Sequence, residues 1–263
     1  NLLEKKINII PIVDKNDKLI DVLNKENIKK NSITSNLLEN RIVIMSGGYG
    51  KRMKPFTDIL PKALMPIKDK SVIEIIINKF ISENFFNIHI SSHYKHKILK
   101  DYISLYFEFF PIKYIVEKKP LGTIGSLSKL PLDNKPTIIT NCDNVFNFKF
   151  NDVLKYHNKV KSDFTIVVTE TLQQSQYGIC QIKRNNKLSG FDEKPNLKNI
   201  INVGFYIVNQ NVIKLIPKNT YYDIDKLIIK SLKRKIKIFT YQIDKKDFLD
   251  FGKWENYKES LKK

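Results

Sequence analysis

Cysteine is almost missing from this chain. Cys142 and Cys180 are the whole supply in 263 residues, too few for a disulfide framework or a cysteine-built zinc site. His93 and His157 stand at no metal-ligand spacing, and the single tryptophan, Trp254, is most simply a packing residue. No apolar run reaches the roughly 18 residues of a membrane-spanning candidate, and no signal-peptide pattern opens the chain. Cytoplasmic residence with no membrane partner is the expectation this leaves. Acidic residues are also short. There are 27 of them against 46 lysines and arginines, a formal charge of +19. Such an excess suggests nucleic acid at first sight. The lysines, however, are scattered among asparagine and isoleucine. The densest run, Lys230-Ser-Leu-Lys-Arg-Lys-Ile-Lys237, reads as a helix end entering a strand, with a solvated basic face. No nucleic-acid partner is expected, and attraction of small anionic substrates is the more natural use of the charge.

What is present is a core and an alternating pattern. Hydrophobic residues make up 42% of the chain, enough for one large α/β domain, or one domain plus a fragment. From residue 41 strands and helices alternate. Strands are predicted over 41–46, 86–91, 113–116, 137–141 and 163–168. Helices are predicted over 71–84, 95–105, 122–130 and 151–159. The helix over 71–84 has apolar residues at 72, 73, 75, 76, 77, 80 and 81 on the face it turns to a sheet. Later, 177–182 and 187–191 flank a hairpin turn, and 202–208 is a further strand. The βαβα order implies a Rossmann-like, mostly parallel sheet flanked by helices.

The chemistry concentrates after the first of those strands. The run Met45-Ser-Gly-Gly-Tyr-Gly-Lys-Arg-Met-Lys-Pro-Phe-Thr57 is followed by Pro61-Lys62 and Pro66. Gly47, Gly48 and Gly50 let backbone N–H groups approach an anion, and Arg52 and Lys62 bring positive charge to it. A Walker loop needs Ser or Thr after Gly50-Lys51 and meets Arg52. A dinucleotide fingerprint needs glycine where Met53 stands. The spacing instead resembles G-G-x-G-x-R-x-x-P-x-T with P-K-x-x-x-P, the signature of the sugar-1-phosphate nucleotidyltransferases. The resemblance extends from about residue 41 to about 257. It implies the nucleotide-diphospho-sugar transferase fold, with Ser46, Gly47, Gly48, Gly50 and Arg52 at the nucleotide.

Further motifs follow in the family's order. The strand over 137–141 leads into Asp143, and Asp250 lies in Asp250-Phe-Gly252. The resemblance implies that this pair holds Mg²⁺, which needs only one or two carboxylates when phosphates and water complete its shell. Taken alone, Asp250 reads rather as a helix N-cap before 253–260, and the rest of the signature reverses that reading. Glu117 precedes Pro120-Leu-Gly-Thr-Ile-Gly125, similar to the family's E-x-x-P-L-G-T-A-G at the nucleobase. That places Glu117, Gly122 and Thr123 at the base. A carboxylate there accepts two N–H groups from guanine, so GTP is the expected donor. Alternatively, Glu117 is a strand-end charge paired with a lysine. Tyr177-Gly178, Glu193-Lys194-Pro195 and Asn202-x-Gly204 resemble the family's sugar-side motifs. The resemblance implies that Tyr177, Gly178, Glu193, Asn202 and Gly204 meet the sugar, while Lys62 and Lys194 meet its phosphate. Arg52, Lys62, Asp143 and Asp250 are then the catalytic set.

The N-terminus has a different character. An extended apolar run over 8–14, a polar turn and a second strand over 19–23 resemble the closing strand pair of a CBS module. The expected division is a partial CBS-like pair over 1–30, a linker over 31–40 and the transferase domain over 41–263. Because the chain opens at Asn1, the rest of a CBS region is expected upstream. A CBS remnant on such a domain resembles the glucosamine-1-phosphate guanylyltransferases of the legionaminic acid route to glycosylated flagellin. This implies GTP and glucosamine 1-phosphate as partners, with a homo-oligomer left open. Mannose- or heptose-1-phosphate guanylyl transfer, hexosamine-1-phosphate uridylyl transfer and a catalytically silent nucleotide-sugar sensor are the alternatives.

Overall fold

β-Branched and aromatic runs build one central sheet. The computed structural model describes residues 9–13, 18–24, 37–252 and 254–261. Strands β1 (Ile9–Val13) and β2 (Leu19–Asn24) form a separate antiparallel pair, as expected for a ribbon there, but such a pair is not specific to a CBS module. The turn expected between them, at 15–17, and the linker at 31–36 lie outside the described residues. The domain's packing begins before residue 41: Leu37 and Leu38 rest on the core, and Leu38 N–H donates to the Asn84 carbonyl at 2.9 Å.

The sheet contains β3 (Ile42–Ser46), β4 (Ile88–Ser92), β5 (Lys113–Val116), β6 (Thr137–Asn141), β8 (Phe164–Gln174), β11 (Asn196–Val208) and β12 (Ile238–Ile243), in the order β12-β8-β11-β6-β3-β4-β5. All neighbours are parallel except around β11, which runs against both β6 and β8. The short strand β7 (Asn144–Phe146) pairs outside this sheet with β13 (Phe248–Asp250). Strands β9 (Ile179–Ile182) and β10 (Leu188–Asp192) form the expected hairpin. It lies on an excursion at 171–200, where β8 and β11 run on together beyond the sheet.

One face of the sheet is covered by α1 (Val72–Ser82), α2 (His96–Tyr106), α3 (Phe150–Lys159) and α5 (Trp254–Leu261), which share a core with Ile42, Ile44 and Phe205. Ser71 starts α1 with a capping box: its hydroxyl accepts from Glu74 N–H and its own N–H donates to Glu74 Oε2 at 2.6 Å. This satisfies two otherwise orphan donors. The other face carries Ile124, Leu127, Val212 and, from α4 (Ile224–Lys233), Leu227. The helix expected over 122–130 is only a 3₁₀ segment, Gly125–Lys129. Its approach is pinned instead, with Ile124 N–H donating to the Tyr222 carbonyl at 3.2 Å.

Candidate active site

β3 lies between β4 and β6, so the chain leaves it toward both sides of the sheet. In open α/β sheets such a reversal opens a crevice beyond the carboxyl ends of the strands. Ser46 ends β3 there, and the glycine loop follows. Gly50 has φ 65°, a left-handed conformation that a side chain disfavours. Its carbonyl accepts from Met53 N–H at 2.8 Å and from Thr57 Oγ1 at 3.0 Å. Met53 and Thr57 are buried, whereas Lys51 and Arg52 are exposed. The signature's threonine therefore fastens the loop from beneath while its arginine faces outward. Gly48 has open space where a Cβ would point. No hydrogen bond or ion pair ties the Arg52 guanidinium among the described residues.

The loop leads directly to a charged cluster. A Cβ on Gly50 would lie 3.4 Å from Lys62 Cβ, and the Lys62 ammonium is ion-paired with Asp143 Oδ2. The β7–β13 ladder sets Asp250 opposite Asn144, and Phe251 N–H donates to the Asp143 carbonyl at 2.9 Å. The two aspartates and the lysine meet around one small residue. A Cβ on Gly252 would lie 2.5 Å from Asp143 Oδ2, 2.7 Å from Asp250 Oδ1 and 2.7 Å from Lys62 Nζ. A side chain there would require these three side-chain ends to shift. Two hard carboxylates converging in this way fit Mg²⁺, whose remaining ligands are ordinarily phosphate oxygens and water. No larger cluster of metal-binding side chains occurs among the described residues. Beside Asp143, burial first and the aspartate second push the Cys142 thiol up to about 11, so it is no nucleophile at neutral pH.

The base-side residues turn inward. Glu117 is 3% exposed. Its Oε1 accepts from Ser91 Oγ at 2.6 Å and its Oε2 from Leu121 N–H at 2.8 Å. Each oxygen thus accepts one hydrogen bond from the chain itself, which fixes the carboxylate's orientation and leaves each a further lone pair. Among the described residues it is paired with no lysine. It lies behind Gly47, where a Cβ would sit 2.7 Å from Glu117 Oε1, and so shapes the loop's floor. Gly122 and Thr123 are likewise taken up internally. Gly122 packs on the Tyr222 carbonyl, and Thr123 exchanges hydrogen bonds with Asp223 Oδ1 (2.9 Å) and Ile224 N–H (2.8 Å) at the start of α4. Neither Tyr49 nor His93 stood out in the sequence. The Tyr49 hydroxyl lies 3.4 Å from His93 Nε2, and His93 Nδ1 lies 2.8 Å from the Glu117 carbonyl. The pair connects the glycine loop to the segment expected at the base. A tyrosine between glycines was its only sequence signal.

The sugar-side residues fall into two groups. A Cβ on Gly178 would lie 2.7 Å from Phe191 Cε2 and 2.9 Å from Glu193 Oε2, so Tyr177, Gly178 and Glu193 are neighbours on the excursion, with Lys194 exposed beside them. Asn202 and Gly204 stand at its root. Gly204 N–H donates to Asn202 Oδ1 at 2.9 Å, and a Cβ on Gly204 would lie 2.7 Å from Asn144 Nδ2, next to Asp143. Among the described residues no hydrogen bond or ion pair joins Tyr177, Glu193 or Lys194 to the Lys62–Asp143–Asp250 cluster.

Comparison with known proteins adds to this geometry. A family profile described as nucleotidyl transferase matches residues 41–263. The chain is 32% identical over 184 residues to a mannose-1-phosphate guanyltransferase of Hypocrea jecorina, covering 66% of this chain and 50% of that protein. It is 30% identical over 213 residues to a mannose-1-phosphate guanylyltransferase catalytic subunit beta of Dictyostelium discoideum, covering 78% and 59%. The chain thus spans about half the length of the curated relatives it matches. Among solved structures, HddC from Yersinia pseudotuberculosis complexed with GMP-PN superposes with a TM-score of 0.64 at 22% identity, covering 85% of this chain and 98% of that one. At that identity the likeness is one of fold.

Proposed function

The chain belongs to the nucleotidyl transferase family, and we propose that it joins a nucleoside monophosphate from GTP to a sugar 1-phosphate, releasing pyrophosphate. The observation that carries this reading is the meeting of Lys62, Asp143 and Asp250 around Gly252, in contact with the glycine loop. Guanylyl transfer is supported by the names of the relatives, and Glu117 is the carboxylate proposed to meet the base. The acceptor is glucosamine 1-phosphate, as the CBS-like strand pair suggests, with a place in the legionaminic acid route. Mannose 1-phosphate is the second reading, favoured by the relatives' names.

A sugar phosphate is largely dianionic near neutral pH, so no side chain need deprotonate it. One of its oxygens attacks the α-phosphorus in line. A new P–O bond forms, the bond to the β-phosphate oxygen breaks, and pyrophosphate leaves with that electron pair. The protein's task is to align two polyanions and neutralise developing charge. Backbone N–H groups of the glycine loop and Arg52 hold the triphosphate. Lys62 and Lys194 hold the acceptor phosphate, and Glu193 and Asn202 orient sugar hydroxyls. Asp143 and Asp250 would hold Mg²⁺, which when bound supplies further neutralisation of phosphate charge.

Pyrophosphate release across a matrix of GTP, UTP, dTTP and CTP against glucosamine, mannose and heptose 1-phosphates is the test. Turnover with GTP and glucosamine 1-phosphate is expected. A preference for UTP or dTTP defeats the guanylyl assignment. Binding of a nucleotide-sugar with no turnover in Mg²⁺ would replace the enzyme by a sensor.

A further inference from the structure

We propose that a cavity on the far side of the sheet from the glycine loop is a second anion site, taking the phosphate group of a small phosphorylated molecule. The cavity, about 480 Å³, lies between β4–β5 and the 125–131 segment, and its walls include Arg41, His89, Lys113, Ile115, Lys129 and Leu130. Arg41 immediately precedes β3 and Lys113 begins β5. The glycine loop leaves the opposite end of β3, a strand of five residues that spans about 17 Å. The two places therefore share a strand but no side chain.

The wall is cationic and holds no aspartate or glutamate. Arg41 is 6% exposed. Its Nη1 donates to the Pro131 carbonyl at 2.8 Å, and its Nη2 stands 3.6 Å from Asp133 Oδ2. Its Nε has no acceptor among the described residues. A buried guanidinium N–H without a partner is costly, and a small turn of this side chain toward the cavity it lines would let an oxyanion supply the missing acceptor. The Lys129 ammonium donates to the Val116 carbonyl at 2.9 Å, leaving its other protons available at the rim. Lys113 is exposed, with no hydrogen bond or ion pair among the described residues. His89 is buried with Nε2 3.1 Å from Asn87 Oδ1. Burial first, then Lys113 and Arg41, lower its pKa to about 4. Ile115 and Leu130 add an apolar wall, so the space suits an organic phosphate better than a bare ion.

The full chain has four histidines, so ring-labelled histidine gives a small set of NMR signals, and His89→Gln identifies the one required. Inorganic phosphate, titrated at constant pH and ionic strength, is expected to move the His89 signals saturably. The exposed-site variant Lys113→Gln should weaken that response by about fivefold, the worth of an exposed charge pair. Arg52→Ala, at the glycine loop, should leave it intact. His89 signals that stay fixed, that move equally with chloride, or that ignore Lys113→Gln would overturn the proposal. Loss of the response in Arg52→Ala would assign the phosphate to the glycine loop and overturn it equally.

Discussion

A methyl group on Gly252 would intrude on three atoms of the proposed site at once, since each lies within 2.7 Å of where it would stand. Gly252→Ala should therefore spread Asp143, Asp250 and Lys62 while the helices remain. A misplacement of about 1 Å at reacting groups costs on the order of 10²-fold. Loss of pyrophosphate release on that scale, with an unchanged far-UV circular dichroism spectrum, is the expected outcome. Asp143→Asn should lose about 10²-fold or more in kcat, the usual scale for a charge-stabilising contact. Wild-type turnover in that variant would remove Asp143 from the proposed machinery. Single residues also show where sequence reading stops. Gly50, Arg52, Thr57 and Lys62 were legible because their spacing has meaning without a structure. The burial of Glu117 was not, because sequence cannot say that Ser91 and Leu121 will hold its carboxylate.

Among the elements, the glycine loop owes its shape to one side chain beneath it. Thr57 Oγ1 bonds the Gly50 carbonyl from a buried position. Thr57→Val keeps the volume and removes that bond, at a net cost of about 1 kcal/mol. A fall in Tm of about 2 °C is expected for a chain of this size. A larger rise in KM for the nucleotide than fall in kcat would mark a loop loosened before the chemistry. Strands such as Ile42–Ser46 and Thr137–Asn141 stood where their apolar runs put them, because burial on both faces writes a continuous signal. The β7–β13 ribbon did not, although it sets Asp250 beside Asp143. Three-residue strands carry no periodicity, and their pairing spans about a hundred residues of chain. The glycines at 122 and 125 explain why the expected helix there tightens into a 3₁₀ segment, since glycine weakens a helix interior.

At the scale of the molecule, buried histidine links stability to pH. Burial is the main cause holding both His89, at about 4, and His157 below their ordinary value. Both are neutral in the folded protein near pH 7. An unfolded histidine binds its proton near pH 6.5. Below that pH the unfolded state takes up more protons, so stability falls as the solution is acidified toward pH 4. Urea midpoints at pH 7, 6 and 5 should decline, and His89→Gln should flatten the decline. The fold class was readable from alternation, but the reversal of β11 was not, since direction within a sheet leaves no mark on one strand's composition. That reversed strand has a practical side. Residues 171–200 depart along β8 and come home along β11, and their two ends are held together where Val168 faces Asn202. The whole piece is thus a cassette with a single doorway. Exchanging it for the corresponding stretch of a relative would disturb two adjoining seams and leave the buried layers alone, so the proposed sugar contacts of Tyr177, Glu193 and Lys194 could be transplanted without refolding the domain around them.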